Sequence, residues 1–169
     1  PMDNLSFRLA NYLLGNEWGA CALEITLNGP TLKFHCDGQV AITGAAIEIS
    51  LDGVPCPQYQ TISVKADQVL QLGRVQDAGA RAYLAVAGGF DCPDYLGSAA
   101  TFTLGQFGGL GRALATGDTL PLQKAVAPRP QLQLKPEQRP LITSQWTLRV
   151  IPGPHTAPEF FTPDDLHSM

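Results

Sequence analysis

Three groups of residues have types and spacings that can do chemistry. Arg8 and Asn11 stand three apart in a stretch with helical character, so they share one face. An asparagine side chain donates and accepts at once, and an arginine fork grips a carboxylate through two parallel bonds. The pair therefore suits anchoring of a carbonyl or carboxylate at a cleft, although a solvated helix face is the commoner origin of such a pair. Glu24 lies inside an apolar run, Leu23-Glu24-Ile25. Pointing inward it needs a partner, because a lone buried carboxylate is very costly. Pointing outward it is the polar position of an alternating strand, and the two readings balance. Gly88-Gly89 and Gly97-Ser98 can turn backbone N–H groups into a concave arrangement that holds a developing oxyanion. For any single glycine, a tight turn without a ligand is the better explanation.

The elements that must position these groups are read from pattern. Asp3–Leu14 is a helix: Asp3 suits the N-cap, Leu5, Leu9, Tyr12 and Leu13 mark an apolar face, and Gly15 suits the C-terminal stop. Strands are expected over 22–27, 31–34, 39–43, 46–51, 61–64, 68–72 and 81–86, with Asp52-Gly53 as a hairpin turn. Many short strands without intervening helices point to a closed or sandwiched antiparallel sheet. After Val86 the chain breaks into a loop carrying Gly97, Gly105, Gly108, Gly109, Gly111 and Gly117. Each glycine in an element interior costs roughly 0.5–1 kcal/mol relative to alanine, so backbone geometry matters there more than regular structure. Such a loop is expected to curl into a pocket for a small uncharged amide. Residues 1–123 then form the main β unit, and 124–140, with Pro128, Pro130, Pro136 and Pro140, a surface linker. Residues 141–169 start a second portion, with a strand over 145–151 and a short C-terminal helix opened by Thr162 and Pro163.

Composition excludes several classes. The 169 residues suffice for one domain with a core, 44% are hydrophobic and only 15% charged, so part of the surface is expected to meet a partner. A net charge of −4 with no basic run leaves no footprint for nucleic acid. No apolar run approaches a membrane span and no secretory pattern opens the chain, so no membrane partner and a cytoplasmic location are expected. Cys21, Cys36, Cys56 and Cys92 form no C-x-x-C pair and read as reduced, partly buried thiols. His35, His155 and His167 lack metal-ligand spacing, so no metal is expected, and His155 reads as a surface residue. There is no G-x-x-x-x-G-K-[ST] loop, no G-x-S-x-G elbow, and no glycine run placed between a strand and a long helix.

The chain also carries a family resemblance. Its pieces are Pro1-Met2-Asp3, Phe7-Arg8-Leu9-Ala10-Asn11, Leu14-Gly15-Asn16, Leu23-Glu24-Ile25-Thr26-Leu27, Gly29-Pro30 and Thr43-Gly44-Ala45. They continue with Arg81 to Phe90, Tyr95-Leu96-Gly97-Ser98, Thr101-Phe102-Thr103-Leu104-Gly105 and Gly117-Asp118. In this order they resemble the carboxyltransferase domain of urea carboxylase, the biotin-dependent half of urea amidolyase. The wider family is also labelled allophanate hydrolase subunit 2 and includes a 5-oxoprolinase subunit and the KipA-type proteins. The runs Thr101 to Gly109 and Pro158 to Thr162 resemble the urea carboxylase branch more closely. The resemblance implies a mainly β chain: a cyclophilin-like antiparallel β-barrel with one N-terminal helix and a short C-terminal helix. It also implies that members extend beyond both ends of this chain.

For function, the resemblance implies transfer of a carboxyl group from carboxybiotin to urea, giving allophanate. Biotin arrives on another domain, since no Met-Lys-Met attachment sequence is present, and ATP is used by a separate biotin carboxylase domain. The expected partners are urea or a similar small amide, the biotin carboxyl carrier and the other carboxyltransferase half. Asn11 and Glu24 are the candidate catalytic residues, and Arg8, Gly88, Gly89, Ser98, Thr101 and Gln106 the candidate substrate contacts. Many relatives carry Arg-Ser where Ala99-Ala100 stand, so an arginine contact there is missing. ATP-dependent lactam opening as a 5-oxoprolinase subunit and a KipA-type binding module are the alternatives.

Overall fold

The structure, a computed structural model, describes residues 1–124, 129–149 and 162–168. The Asp3 carboxylate accepts from the Ser6 N–H at 3.0 Å and starts helix α1, Asn4–Leu14; Gly15, with φ 64°, ends it. The buried side of α1 is Ser6, Ala10, Asn11, Leu13 and Leu14. This corrects the face read from hydrophobicity: Leu5 is 56% and Tyr12 53% exposed. Close approach decides the matter. Ser6 and Ala10 let the helix lie low on the sheet, where small Ala41 and Ala85 sit in the same buried cluster as Ala10.

Eight antiparallel strands follow: β1 Leu23–Thr26, β2 Thr31–Lys33, β3 Gly38–Gly44, β4 Ile47–Leu51, β5 Val54–Pro55, β6 Thr61–Val64, β7 Val69–Val75 and β8 Arg81–Val86. They form two four-stranded sheets, in the orders β1-β8-β3-β6 and β2-β7-β4-β5. Asp52 (φ 51°) and Gly53 (φ 80°) join β4 to β5 with both residues in the left-handed region, the conformation that matches strand twist in a two-residue hairpin. The mainly antiparallel β architecture with an N-terminal helix is as expected. The sheets face one another without joining into a closed barrel among the described residues.

The core has two layers. Between the sheets pack Ile25, Val40, Ile42, Leu84 and Val86 from the first sheet and Ile47, Ile49, Leu70 and Leu72 from the second. Under α1 pack Tyr83, Ala85 and Ala41, against Leu13 and Leu14 of the helix. Strand β8 is central and covered on both sides, so its side chains are buried from Ala82 to Val86.

Of the stretch read as a surface linker, residues 129–134 are extended but docked. Leu132 O accepts from the Thr61 N–H at 2.8 Å, the Leu134 N–H donates to Tyr59 O at 2.9 Å, and Leu134 is buried. It thereby covers the start of edge strand β6, whose backbone otherwise lacks a neighbour on that side. Of the strand expected over 145–151, residues 145–149 are exposed and pair with no strand among the described residues, and 150–151 lie outside them. His155 and the run from Pro158 to Phe161 lie outside them too. A short helix α2 spans Pro163–Ser168, as expected.

Candidate functional site

Pairing of β1 with β8 sets Glu24 opposite Tyr83. Both point to the helix side of the sheet, beside the N-terminal end of α1. The Tyr83 hydroxyl donates to Glu24 Oε2 at 2.8 Å and accepts from the Asp3 N–H at 2.7 Å. The Met2 N–H donates to the same Oε2 at 2.9 Å, and Arg81 Nε reaches Oε1 at 3.3 Å. Glu24 is therefore neither a buried nor an idle surface carboxylate: its side chain is 36% exposed and held from three directions.

The electrostatics follow from these partners. Partial burial raises the Glu24 carboxyl, but the Met2 N–H, the Tyr83 hydroxyl and the Arg81 charge together hold it below the usual glutamate value. Burial first, and then the adjacent Glu24 charge, push the Tyr83 phenol well above its ordinary value, so it stays a proton donor. Beside this cluster opens a cleft of about 580 Å³, walled by Met2, Asp3, Gly79, Ala80, Arg81, Leu141, Ile142, Thr143 and Trp146. A second cleft of about 460 Å³ adjoins it at Leu141 and Ile142 and reaches Gln58, Tyr59, Asp77 and Arg139. A guanidinium on the wall of a largely apolar cleft, with an ionised carboxylate bonded beside it, presents a donor and an acceptor that suit the C=O and N–H edges of a planar amide.

The other sequence-predicted residues lie elsewhere. Asn11 is fully buried; its Nδ2 donates to Ala20 O at 2.9 Å and its Oδ1 accepts from Asn16 Nδ2 at 2.9 Å. Asn16 in turn donates to Val86 O at 2.8 Å and accepts from the Gly88 N–H at 2.8 Å. This network ties the end of α1 to the exit of β8 at Val86, about 10 Å along the strand from Tyr83 at roughly 3.4 Å per residue. Arg8 does not share the Asn11 environment: it is exposed and lies over the Trp18 ring at 5.6 Å. The Gly88 N–H is taken by Asn16 and the Gly89 N–H by Val86 O, so neither is presented as an oxyanion donor.

Ser98, Thr101 and Gln106 lie on the glycine-rich loop, with Thr101 and Gln106 exposed. The root of the loop is closed by Phe90 bridged to Leu122 and by the Gln123 N–H on Gly89 O at 3.0 Å. Inside it, Tyr95 and Phe102 pack on Phe107, with ring centroids 4.8 and 5.2 Å apart. From its sequence this loop is expected to curl into a pocket, and neither of the two clefts described above is lined by any of its residues. Leu96 and Leu104 point outward from it, 92% and 88% exposed.

Sequence reasoning missed Arg81, Tyr83, Met2 and Asp3 as parts of the Glu24 cluster. A signal existed for two of them. Arg81 and Tyr83 are two apart in a strand that is otherwise apolar, so they share a face. The contribution of Met2 and Asp3 is through backbone N–H groups, which leave no mark in residue type. Among the described residues, no group of three histidine, cysteine or acidic side chains is placed to hold a metal ion, and no helix is long and apolar enough to cross a membrane.

Comparison with known proteins places the chain. The family described as carboxyltransferase domain, subdomain A and B, matches residues 1–169. Urea amidolyase of Saccharomyces cerevisiae is 44% identical over 177 residues, covering 100% of this chain and 10% of that protein. A 5-oxoprolinase subunit of Escherichia coli is 41% identical over 154 residues, covering 90% of this chain and 48% of that protein. The crystal structure of Kluyveromyces lactis urea carboxylase superposes with a TM-score of 0.78 at 40% identity, covering 85% of this chain and 14% of that one. The chain thus spans a tenth to about half the length of these relatives. It belongs to the carboxyltransferase domain family, subdomains A and B.

Proposed function

We infer that this chain is the part of a biotin-dependent urea carboxylase that helps seat urea for carboxyl transfer, giving allophanate. The observation that carries this reading is the 44% identity to urea amidolyase along all of the chain, with Arg81 on the wall of a cleft and Glu24 and Tyr83 bonded together beside it. Glu24 accepts from an amide N–H of the substrate and Arg81 donates to its carbonyl. Tyr83 fixes the carboxylate and keeps its own proton. Leu141 and Trp146 on the cleft wall are exposed in this chain, so exclusion of water, which strengthens both contacts, needs an adjoining part of the parent protein. Asn11 acts as a positioning residue, through Asn16, on the root of the loop. Arg8, Ser98, Thr101 and Gln106 face whatever part of the parent protein adjoins them.

Biotin and ATP belong to other domains in this reading. The cleft fits a biotin ureido ring by its volume and by Arg81 and Thr143 at its wall, and those residues would hold it; bound and carboxylated, it supplies the carboxyl group. The 5-oxoprolinase reading is favoured by the larger share of that relative that the chain covers, 48% against 10%. A cyclic amide presents the same N–H and C=O edges, so the Glu24–Arg81 pair serves either substrate. Urea-dependent ATP hydrolysis by the full-length parent, with 5-oxoproline as the control substrate, separates the two. Stimulation by 5-oxoproline and not by urea overturns the first reading.

A further inference from the structure

Two of the four cysteines meet in a place the proposed chemistry does not use. Cys21 lies just before β1, and Cys92 just after the Phe90–Leu122 bridge that closes the glycine-rich loop. Their sulfurs are 3.0 Å apart although the residues are 71 positions apart in the chain. The approach is built into the backbone: the Phe90 N–H donates to Cys21 O at 3.2 Å, so the two segments run side by side. Both side chains are half-buried and pack against the inter-sheet core. A disulfide needs about 2.05 Å between sulfurs, so roughly 1 Å of movement joins them. Cys36 is exposed and Cys56 turns its thiol to Val54 O at 3.5 Å; among the described residues neither contacts another sulfur.

We propose that Cys21 and Cys92 form a redox modification site that closes to a disulfide and staples the entry of β1 to the root of the loop. The oxidant is a small-molecule disulfide of the glutathione class. The Cys92 thiolate attacks one of its sulfurs, forming a mixed disulfide and expelling one thiolate. Cys21 then gives up its proton and attacks the Cys92 sulfur, expelling the second thiolate. Two protein thiols and one small disulfide become one protein disulfide and two small thiols, which take up the two protons. The order is set by Cys21, which donates its proton to Cys92 and whose thiol is pushed up to about 12, chiefly by burial. Cys92 therefore reacts first and Cys21 resolves. Glu24 lies three residues beyond Cys21, so the staple fixes the segment that carries the candidate carboxylate.

The test uses the full-length parent treated with oxidised glutathione, alkylated, digested without reductant and analysed by mass spectrometry. The expected result is a Cys21–Cys92 linked peptide, two fewer alkylatable thiols per chain, and full reversal by dithiothreitol. Cys36→Ser and Cys56→Ser leave the linked peptide intact. Cys21→Ser leaves Cys92 capped by glutathione, the intermediate that has lost its resolving partner. The proposal is overturned if both thiols of the wild-type protein remain alkylatable, if Cys92 stays glutathione-capped with Cys21 present, or if either pairs with another cysteine. The wild-type measurement decides the matter even where a variant fails to fold.

Discussion

Glu24 shows how little a residue type says before its partners are known. In the folded chain its carboxylate draws on a backbone N–H, a phenol and a guanidinium. Because its folded value is depressed, its stabilising contribution is complete above the ordinary glutamate value of 4.5 and is lost as pH falls below it. Urea-dependent turnover of the parent is therefore expected to show no Glu24 limb between about pH 5 and 9. A limb near neutrality that vanishes in Glu24→Gln would contradict this. Glu24→Gln is expected to change stability by less than about 1 kcal/mol, since its ion pair is partly solvated, while lowering turnover by about tenfold or more. Tyr83→Phe is a different lesion. It leaves the Asp3 N–H without its acceptor and is expected to cost about 1–2 kcal/mol in chemical denaturation.

At the scale of elements, α1 was legible from its caps, and its orientation was not. Asp3 and Gly15 mark the ends by local chemistry that any sequence displays. Which side faces the sheet depends on Ala41, Tyr83 and Ala85, residues far along the chain, and they favour Ser6 and Ala10 over Leu5 and Tyr12. Asn11 suits a substrate amide by residue type. In the fold it satisfies Ala20 O and Asn16 in the interior, so Asn11→Ala is expected to cost about 2–3 kcal/mol and to speed hydrogen exchange at Gly88. In the loop, Gly108 has φ 72°, and a Cβ there would stand 2.0 Å from Ala100 O. Gly108→Ala is expected to open the loop to limited proteolysis while the melting of the two sheets is unchanged; an unaltered cleavage pattern would sink this account.

At the scale of the molecule, the chain reads as a component. Its loop shows Leu96, Leu104, Phe102 and Phe107 to solvent, and α1 shows Leu5 and Tyr12. Exposed apolar side chains grouped on one element mark a surface that something else covers. The isolated chain is accordingly expected to self-associate as concentration rises in sedimentation velocity, and the double variant Leu96→Ser, Leu104→Ser to do so less. Equal behaviour of the two would mean the loop surface is not responsible. The isolated chain is also expected to form no allophanate from urea and carboxybiotin, because the proposed site needs groups from the rest of the parent. Measurable product would show that the cleft suffices alone.

Local residue patterns were enough for the local events: where α1 begins and ends, the Asp52-Gly53 hairpin, seven strands within a residue or three of their limits, and the family. Caps, turns and alternation are encoded within a few neighbouring residues, and so is a run such as Arg81 to Val86. Tertiary structure alone decided which groups share a site. Glu24 meets Tyr83 because β1 pairs with β8 across nearly sixty residues, and it meets Met2 through a backbone N–H common to almost all residue types. It also separated Asn11 and the glycine turns from Glu24, setting them near opposite ends of β8. Register and layer packing are properties of distant contacts, and no window of sequence contains them.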